Sequence, residues 1–312
     1  MLPEQFQGRL SLPLIGAPMF IVSGPELVIA QCRSGIIGAF PALNARPQEL
    51  LDDWLGQINE TLGSEPDAAP FAVNQICHPS NKRLEQDVEL CVKHRVPIVI
   101  TSLSPPAEIV QAVHSYGGLV FHDVISMRHA RKAAAQGVDG LILVAAGAGG
   151  HAGQMSPFAL VNEARQWFDG CLILAGAMST GSDILAAQVM GADLAYMGTR
   201  FIATKEARAS ADYKQMLIDS CAGDIVYSSL FTGVKGNYLR GSIAAAGLDP
   251  DHLPEGDIAR MDFEEMTQGS KAWKDIWGAG QGVGSISDLV SAADVVGELA
   301  HQYTSTKTLF KK

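Results

Sequence analysis

The chain has 312 residues, 47% of them hydrophobic, a formal charge of −10 and five cysteines. This much apolar residue supports a sizeable core and excludes a disordered chain. The acidic balance, without a long basic run, excludes the clustered Lys and Arg that a nucleic-acid partner requires. The cysteines are scattered, odd in number and free of any C-x-x-C pair, which points to a reduced, intracellular protein without a structural zinc site. Met1 to Leu12 has no signal-peptide core, and no apolar run reaches the ~20 residues of a membrane span, so a soluble, cytoplasmic protein is expected.

From Pro13 to Phe201 short apolar runs alternate with helical patterns. The predicted strands are Leu14–Met19, Ile36–Phe40, Phe71–Ile76, Ile98–Leu103, Leu119–Val124, Leu141–Ala146, Leu172–Ala177 and Leu194–Gly198. The predicted helices between them are Gly24–Arg33, Pro47–Leu62, Asn81–His94, Pro106–Tyr116, Ser126–Gln136, Pro157–Phe168 and Thr180–Met190. Ser126 and Thr180 offer capping oxygens to the free N–H groups of two helices. Gly35, Gly117, Gly137 and Gly191 end others. Alternation of this kind predicts an α/β fold, a closed parallel (β/α)8 TIM barrel. A doubly wound open sheet is disfavoured because no G-x-G-x-x-G follows the first strand.

After Phe201 the rhythm changes. Lys205 to about Ser270 is charge-rich, helical in pattern and without a clear strand, and Leu230–Arg240 reads as a loop entering another helix. A helical cap inserted after strand eight is therefore expected over 205–270, with the barrel formed by 1–204 and 271–312. Trp273–Gly284 is glycine-rich, Ser287–His301 is a closing helix, and the tail Thr304–Lys312 is expected to be loose.

In such barrels the site lies at the C-terminal strand ends. There the sequence places Ala17-Pro18-Met19, Asn74-Gln75, Thr101-Ser102, His122-Asp123, and the run Gly147-Ala148-Gly149-Gly150-His151-Ala152-Gly153. Glycines let backbone approach a flat ligand, with one histidine held against it. The same run also reads as a plain glycine turn with a solvated imidazole. The loops after strands seven and eight carry Gly176, Ala177, Gly198 and Thr199. Small residues there expose N–H groups to a phosphate, a recurring device of this fold; tight turns alone would demand the same residues. A ligand with one phosphate and a flat head reaching Met19 and His151 is a flavin mononucleotide.

The sequence resembles the nitronate monooxygenase family. The resemblance rests on Gly16-Ala17-Pro18-Met19, Phe71-Ala72-Val73-Asn74, Ser126–Ala133, Gly149-Gly150-His151-Ala152-Gly153, Gly191-Ala192-Asp193, Met197–Phe201 and Gly280-Gln281. It covers nearly the whole chain. It implies FMN-dependent oxidation of alkyl nitronates by dioxygen to carbonyl compounds and nitrite. His151 would be the catalytic residue beside the flavin, taking the α-proton of a nitroalkane or holding the nitronate. The cofactor would be held by Ala17, Pro18, Met19, Asn74, Thr101, His122, Gly149, Gly150, Gly176, Ala177, Met178, Gly198, Thr199 and Gln281. Flavin-dependent enoyl reductases and NADH:quinone reductases share the loops. An NAD(P)H-dependent flavin reductase acting on quinones or enoyl thioesters is therefore the second reading, and a non-catalytic flavin-binding protein the third. The partners expected are a nitronate or nitroalkane and dioxygen, with a homodimer as candidate assembly.

Two departures from the resemblance stand out. His122-Asp123 occupies the place where many relatives carry His-Lys, and a carboxylate opposes the anionic reduced flavin that a lysine favours. Ala177-Met178 replaces a glycine and an alanine. Among other candidates, Asp139 reads as a turn residue in preference to a support for the His151 loop. His129 reads as part of a solvated basic face, and Cys77 and Cys171 as small core residues. His78 and His94 lack spaced metal-ligand partners. Tyr227, Tyr238, Trp273 and Trp277 are candidates to line a substrate cavity, with plain packing the commoner role.

Overall fold

In the computed structural model, which describes residues 1–104, 107–256 and 275–309, eight parallel strands close into a barrel. In order around it they are β1 (Leu14–Gly16), β2 (Ile37–Pro41), β3 (Phe71–Cys77), β4 (Ile98–Leu103), β5 (Leu119–Val124), β6 (Gly140–Val144), β8 (Cys171–Ala175) and β9 (Leu194–Met197). The register Ile15↔Tyr196 between β1 and β9 closes the ring. The two-residue strand β7 (Gly150–His151) lies outside it. Seven helices follow the strands on the outside: α1 (Pro25–Arg33), α2 (Leu50–Gly63), α3 (Leu84–Lys93), α4 (Ala107–His114), α5 (Met127–Ala134), α6 (Pro157–Arg165) and α7 (Gly181–Met190). Ser126 accepts the His129 N–H, and Thr180 forms a reciprocal cap with Asp183. Both caps stop their helices from unwinding at the rim where the strands end.

Strand side chains alternate strictly between two cores. Val73, Val99, Val120, Leu141, Leu143, Leu172 and Leu174 point outward and join the helices. Ile15, Ile37, Ala39, Ala72, Ile98, Ile100, Phe121, Ile142, Ile173 and Leu194 point inward and fill the barrel. Phe6 stoppers the bottom, edge-on to Phe121 with ring centroids 6.3 Å apart. One step above the inward apolar layer the same parity sets Asn74, Ser102, Asp123, Val144, Ala175 and Tyr196 toward the top of the barrel.

The segment after β9 corrects the expectation of a strand-free region. Following α8 (Thr199–Ile202) and α9 (Ala211–Ile218), the strands β10 (Ile225–Ser228) and β11 (Gly236–Leu239) pair antiparallel, and β11 also pairs with β7. The helix α10 (Arg240–Ala245) follows. The expected boundary at 270–271 and Trp273 lie outside the described residues. The last helix, α11 (Ala292–Leu309), runs through the tail expected to be loose. It packs on α7 so closely that a Cβ on Gly181 would lie 2.1 Å from Leu299 O. No helix among the described residues is long and apolar enough to cross a membrane.

Candidate active site

A cavity of about 300 Å³ opens at the C-terminal end of the barrel. Its floor is the last inward-facing layer: Asn74, Ser102, Asp123, Val144, Ala175 and Tyr196. Its walls are the loops that follow the strands.

The loop after β1 brings Ala17, Pro18 and Met19 to one wall. Asn44 clamps it: Oδ1 accepts from Ile21 N at 2.9 Å, and Nδ2 donates to Met19 O and Ser23 O at 2.9 and 2.8 Å. These bonds hold Ile21, a β-branched residue, at φ 57°, a conformation costing on the order of 1–3 kcal/mol that persists only where the surroundings impose it.

The glycine run after β6 forms the opposite wall. Gly149 abuts the backbone of Ala279 and Gly280, where a Cβ would meet Gly280 N at 2.8 Å. Gly147 O accepts from Gln281 N, and Asn237 Nδ2 from β11 donates to Ala148 O. The run is therefore stitched to β11 and to the 276–282 segment. Tyr213 and Trp277 stack beside it, centroids 4.9 Å apart, and the Tyr213 hydroxyl donates to Gly278 O.

His151 sits in β7 and lines the cavity. Its Nε2 is 2.9 Å from Thr232 Oγ1, whose hydroxyl hydrogen goes to Val234 O at 2.9 Å. With that hydrogen on Val234 O, Thr232 accepts from the ring and fixes its orientation. Enclosure by protein lowers the imidazole pKa to about 4. The ring is neutral at physiological pH, as a proton acceptor must be.

Beside the glycine run, where Ala177 N donates to Gly147 O, lie Gly176, Ala177, Met178, Gly198 and Thr199. Ala177 has φ 53° and Gly176 φ 135°. The backbone N–H groups of Gly176, Met178, Gly198 and Thr199 have no carbonyl or side-chain acceptor among the described residues. Unengaged donors at a cavity wall are the kind of group that can hold an anion. Thr199 Oγ1 accepts from Gly280 N at 2.9 Å, so its hydroxyl braces the 276–282 segment.

Of the residues expected near a cofactor, Ala17, Pro18, Met19, Asn74, Gly149, Gly150, Gly176, Ala177, Met178, Gly198 and Thr199 line this cavity with His151. Thr101 and His122 do not, and that expectation is corrected. They stand one residue out of phase with the inward set and face the helical layer, bonded to each other at 2.8 Å. Burial lowers His122 to about 4, with a further push from His129 of α5. Gln281 is exposed and is not part of the cavity lining, but it abuts the lining residue Gly147 through a backbone bond and its side chain. Asp139 binds Val120 N and His114 at the opposite end of the barrel, a turn role. Tyr227 donates to Ala152 O and Tyr238 packs on Phe231; Trp277 lines the cavity. Sequence reasoning missed Tyr196, Tyr213 and Thr232. It placed Ser102 and Asp123 at the strand ends but gave the binding roles to their neighbours Thr101 and His122. For those two a period-2 count from Phe121 and Ile100 carries the signal. Tyr213 and Thr232 come from a region without periodicity and carry none.

The Asp123 carboxylate lies in the floor. Ser102 Oγ donates to its Oδ2 at 2.5 Å and itself accepts from Asn74 Nδ2 at 2.9 Å. Burial outweighs these bonds and raises the Asp123 pKa to about 6.

A family model for nitronate monooxygenase matches residues 26–302. A nitronate monooxygenase of Metarhizium robertsii is 30% identical to the chain, covering 72% of it and 69% of its own length. The chain spans 65% and 53% of the length of two other curated relatives, a monooxygenase of Mycobacterium tuberculosis and an indene-carboxyl-CoA dehydrogenase of Rhodococcus jostii. Among solved structures, a nitroalkane oxidase from Streptomyces ansochromogenes superposes with TM-score 0.80 at 21% identity, covering 96% of this chain and 97% of that one. FabK from Thermotoga maritima does so with TM-score 0.77 at 21% identity, covering 100% and 99%. These two share the fold. With the family model running across most of its length and the Metarhizium relative matched over more than two thirds, the chain belongs to the nitronate monooxygenase family of oxidoreductases.

Proposed function

We propose that the protein is an FMN-dependent nitronate monooxygenase that oxidises alkyl nitronates with dioxygen to carbonyl compounds and nitrite. The observation that carries the proposal is the pairing of a neutral, oriented imidazole with a glycine-walled slot. His151 lines that slot, and so do Gly176, Met178, Gly198 and Thr199, whose N–H groups have no acceptor among the described residues. These groups suit a phosphate, because each N–H offers a hydrogen bond without bringing a counter-charge of its own. The Gly149 wall suits a planar ring, because it stays flat only without a Cβ. A flavin bound there supplies the electron transfer between substrate and dioxygen.

The chain's own residues supply positioning and proton handling. The neutral His151 ring takes the α-proton of a neutral nitroalkane, while its bond to Thr232 keeps the ring from rotating. For a substrate that arrives as the nitronate no proton has to be removed, and the ring's part is to position the substrate. Met19, Ile21, Tyr213 and Trp277 give the cavity an apolar and aromatic lining, and polar contacts made against such a lining are stronger than in water. The test is anaerobic mixing of the yellow protein with propyl-2-nitronate and, separately, with NADH. Bleaching of the flavin band by the nitronate alone supports the proposal. Bleaching by NADH alone assigns the protein instead to the reductases of quinones or enoyl thioesters.

A further inference from the structure

The floor of the cavity joins three consecutive strands through one polar chain: Asn74 Nδ2 donates to Ser102 Oγ, and Ser102 Oγ donates to Asp123 Oδ2. No lysine or arginine lines the cavity among the described residues; its ionisable side chains are Asp123, His151, Tyr196 and Tyr213. Among the described residues, the groups facing Asp123 from each packed element are uncharged at neutral pH. On β4 it meets Ser102, on β6 Val144, and from β9 Tyr196, whose own pKa its charge helps to raise. On β3 the Cys77 thiol is pushed up to about 12, partly by the same charge. His151 on β7 is neutral, and the basic side chains of α5, Arg128, Arg131 and Lys132, are exposed. A half-buried carboxyl that accepts from Ser102 and from the Leu103 N–H, with no counter-ion in the cavity lining among the described residues, is poised to change protonation when charge arrives nearby.

We propose that Asp123 is the proton store of this site, taking up one proton when a flavin ring in the cavity receives electrons. The inference rests on the cofactor reading above. Two electrons and one proton give the anionic reduced ring, and that new charge raises the affinity of the Asp123 carboxylate for a second proton. The balance is two electrons and two protons, one on the ring nitrogen and one on Asp123; no protein bond breaks. Ser102 and Asn74 position the carboxyl at the floor and set the pH at which it fills. Asp123 thus tunes the flavin through its charge where a fixed cation would hold the potential independent of its own titration.

The experiment is anaerobic reduction of the FMN-loaded protein with dithionite between pH 6.5 and 8.5, following the flavin band against a reference dye and proton uptake with an indicator. The native protein is expected to take up two protons per two electrons, and Asp123→Asn one. The potential of the variant then depends on pH less steeply, by about 30 mV per pH unit, the shift of one tenfold step for a two-electron couple. Ser102→Ala, which removes the bond that lowers the Asp123 pKa, is expected to move the onset of the extra uptake to higher pH. It carries the test if Asp123→Asn does not fold. Equal slopes in native and Asp123→Asn, or an unmoved onset in Ser102→Ala, overturn the inference while a yellow protein keeps the cofactor reading. A native protein that is colourless and takes up no FMN overturns both.

Discussion

Gly198→Val separates phosphate binding from folding. Gly198 has φ −106°, so its backbone accepts a side chain. A Cβ there would meet Ala17 Cβ and Met19 Sδ at 3.5 Å, ordinary contact with the ends of small or flexible groups. The protein therefore accommodates the first carbon, and the cost to stability is expected to stay near ~0.5 kcal/mol, as for substitutions that disturb no packed neighbour. The two methyls of valine then project at the cavity wall, in front of the N–H groups of Gly198 and Thr199. Losing one hydrogen bond to a charged group costs about 1.5–3 kcal/mol, which is a roughly 10- to 150-fold weaker Kd. The assay is quenching of flavin fluorescence on titrating apo-protein with FMN and, in parallel, with riboflavin, which has no phosphate. The FMN affinity should fall by that factor and the riboflavin affinity should hardly move, with the melting temperature unchanged by circular dichroism. A valine variant that binds FMN as tightly as the native protein refutes the role of these N–H groups. Equal losses for both ligands refute the placement of the phosphate.

His151→Asn removes the base but keeps a polar side chain, and oxygen uptake with a neutral nitroalkane should fall by about 10²- to 10⁴-fold, with a smaller loss on preformed nitronate. Because the folded His151 pKa is held at about 4, the acid limb of the nitroalkane rate should lie near that pH; a limb at the ordinary histidine value, assigned to His151 by its loss in the variant, would contradict the enclosed imidazole. Asp123→Asn should stabilise the apo-protein at neutral pH. The folded pKa of about 6 lies above the ordinary carboxyl value of 3.8, so the native state binds the extra proton and stability is lost as pH rises from 3.8 through 6. The gain from removing that charge is on the order of 2 kcal/mol at pH 7.5 and vanishes near pH 3.5; melting curves at both pH values check it, and a variant less stable than native at pH 7.5 counts against it. His122→Leu should show the reverse of Gly198→Val. It removes the 2.8 Å bond to Thr101, whose hydroxyl keeps only its donation to Phe121 O, at a cost of about 0.5–1.5 kcal/mol, lowering the melting temperature, while FMN affinity stays within about two-fold because the ring faces the helical layer and not the cavity.

The eight strands and the helices between them were legible because each strand is a short apolar run bounded by glycine or a cap, and Leu14, Ile98, Phe71, Leu119 and Leu194 begin observed strands where they were predicted. The hairpin of β10 and β11 was not. Gly236-Asn237-Tyr238-Leu239 is four residues long with no alternation, and it is a strand only because β7 and β10 lie on either side of it. The closing helix was seen but cut short at His301, since nothing between Gln302 and Leu309 signals its packing on α7.

The linear order of residues by itself determined that strands would alternate with helices, that glycines and small residues would gather at the strand ends, and that His151 would stand alone among them. It could not decide which of two neighbours faces the cavity. Where a strand is buried on both faces, apolar residues occupy both parities and the alternation that would tell inside from outside disappears. Closure of the barrel resolves it: Phe121 fills the interior, so Asp123 must follow it inward and His122 must turn to the helices. The partner of His151 was equally out of reach, because Thr232 lies 81 positions away in the chain and meets the ring only once β11 pairs with β7.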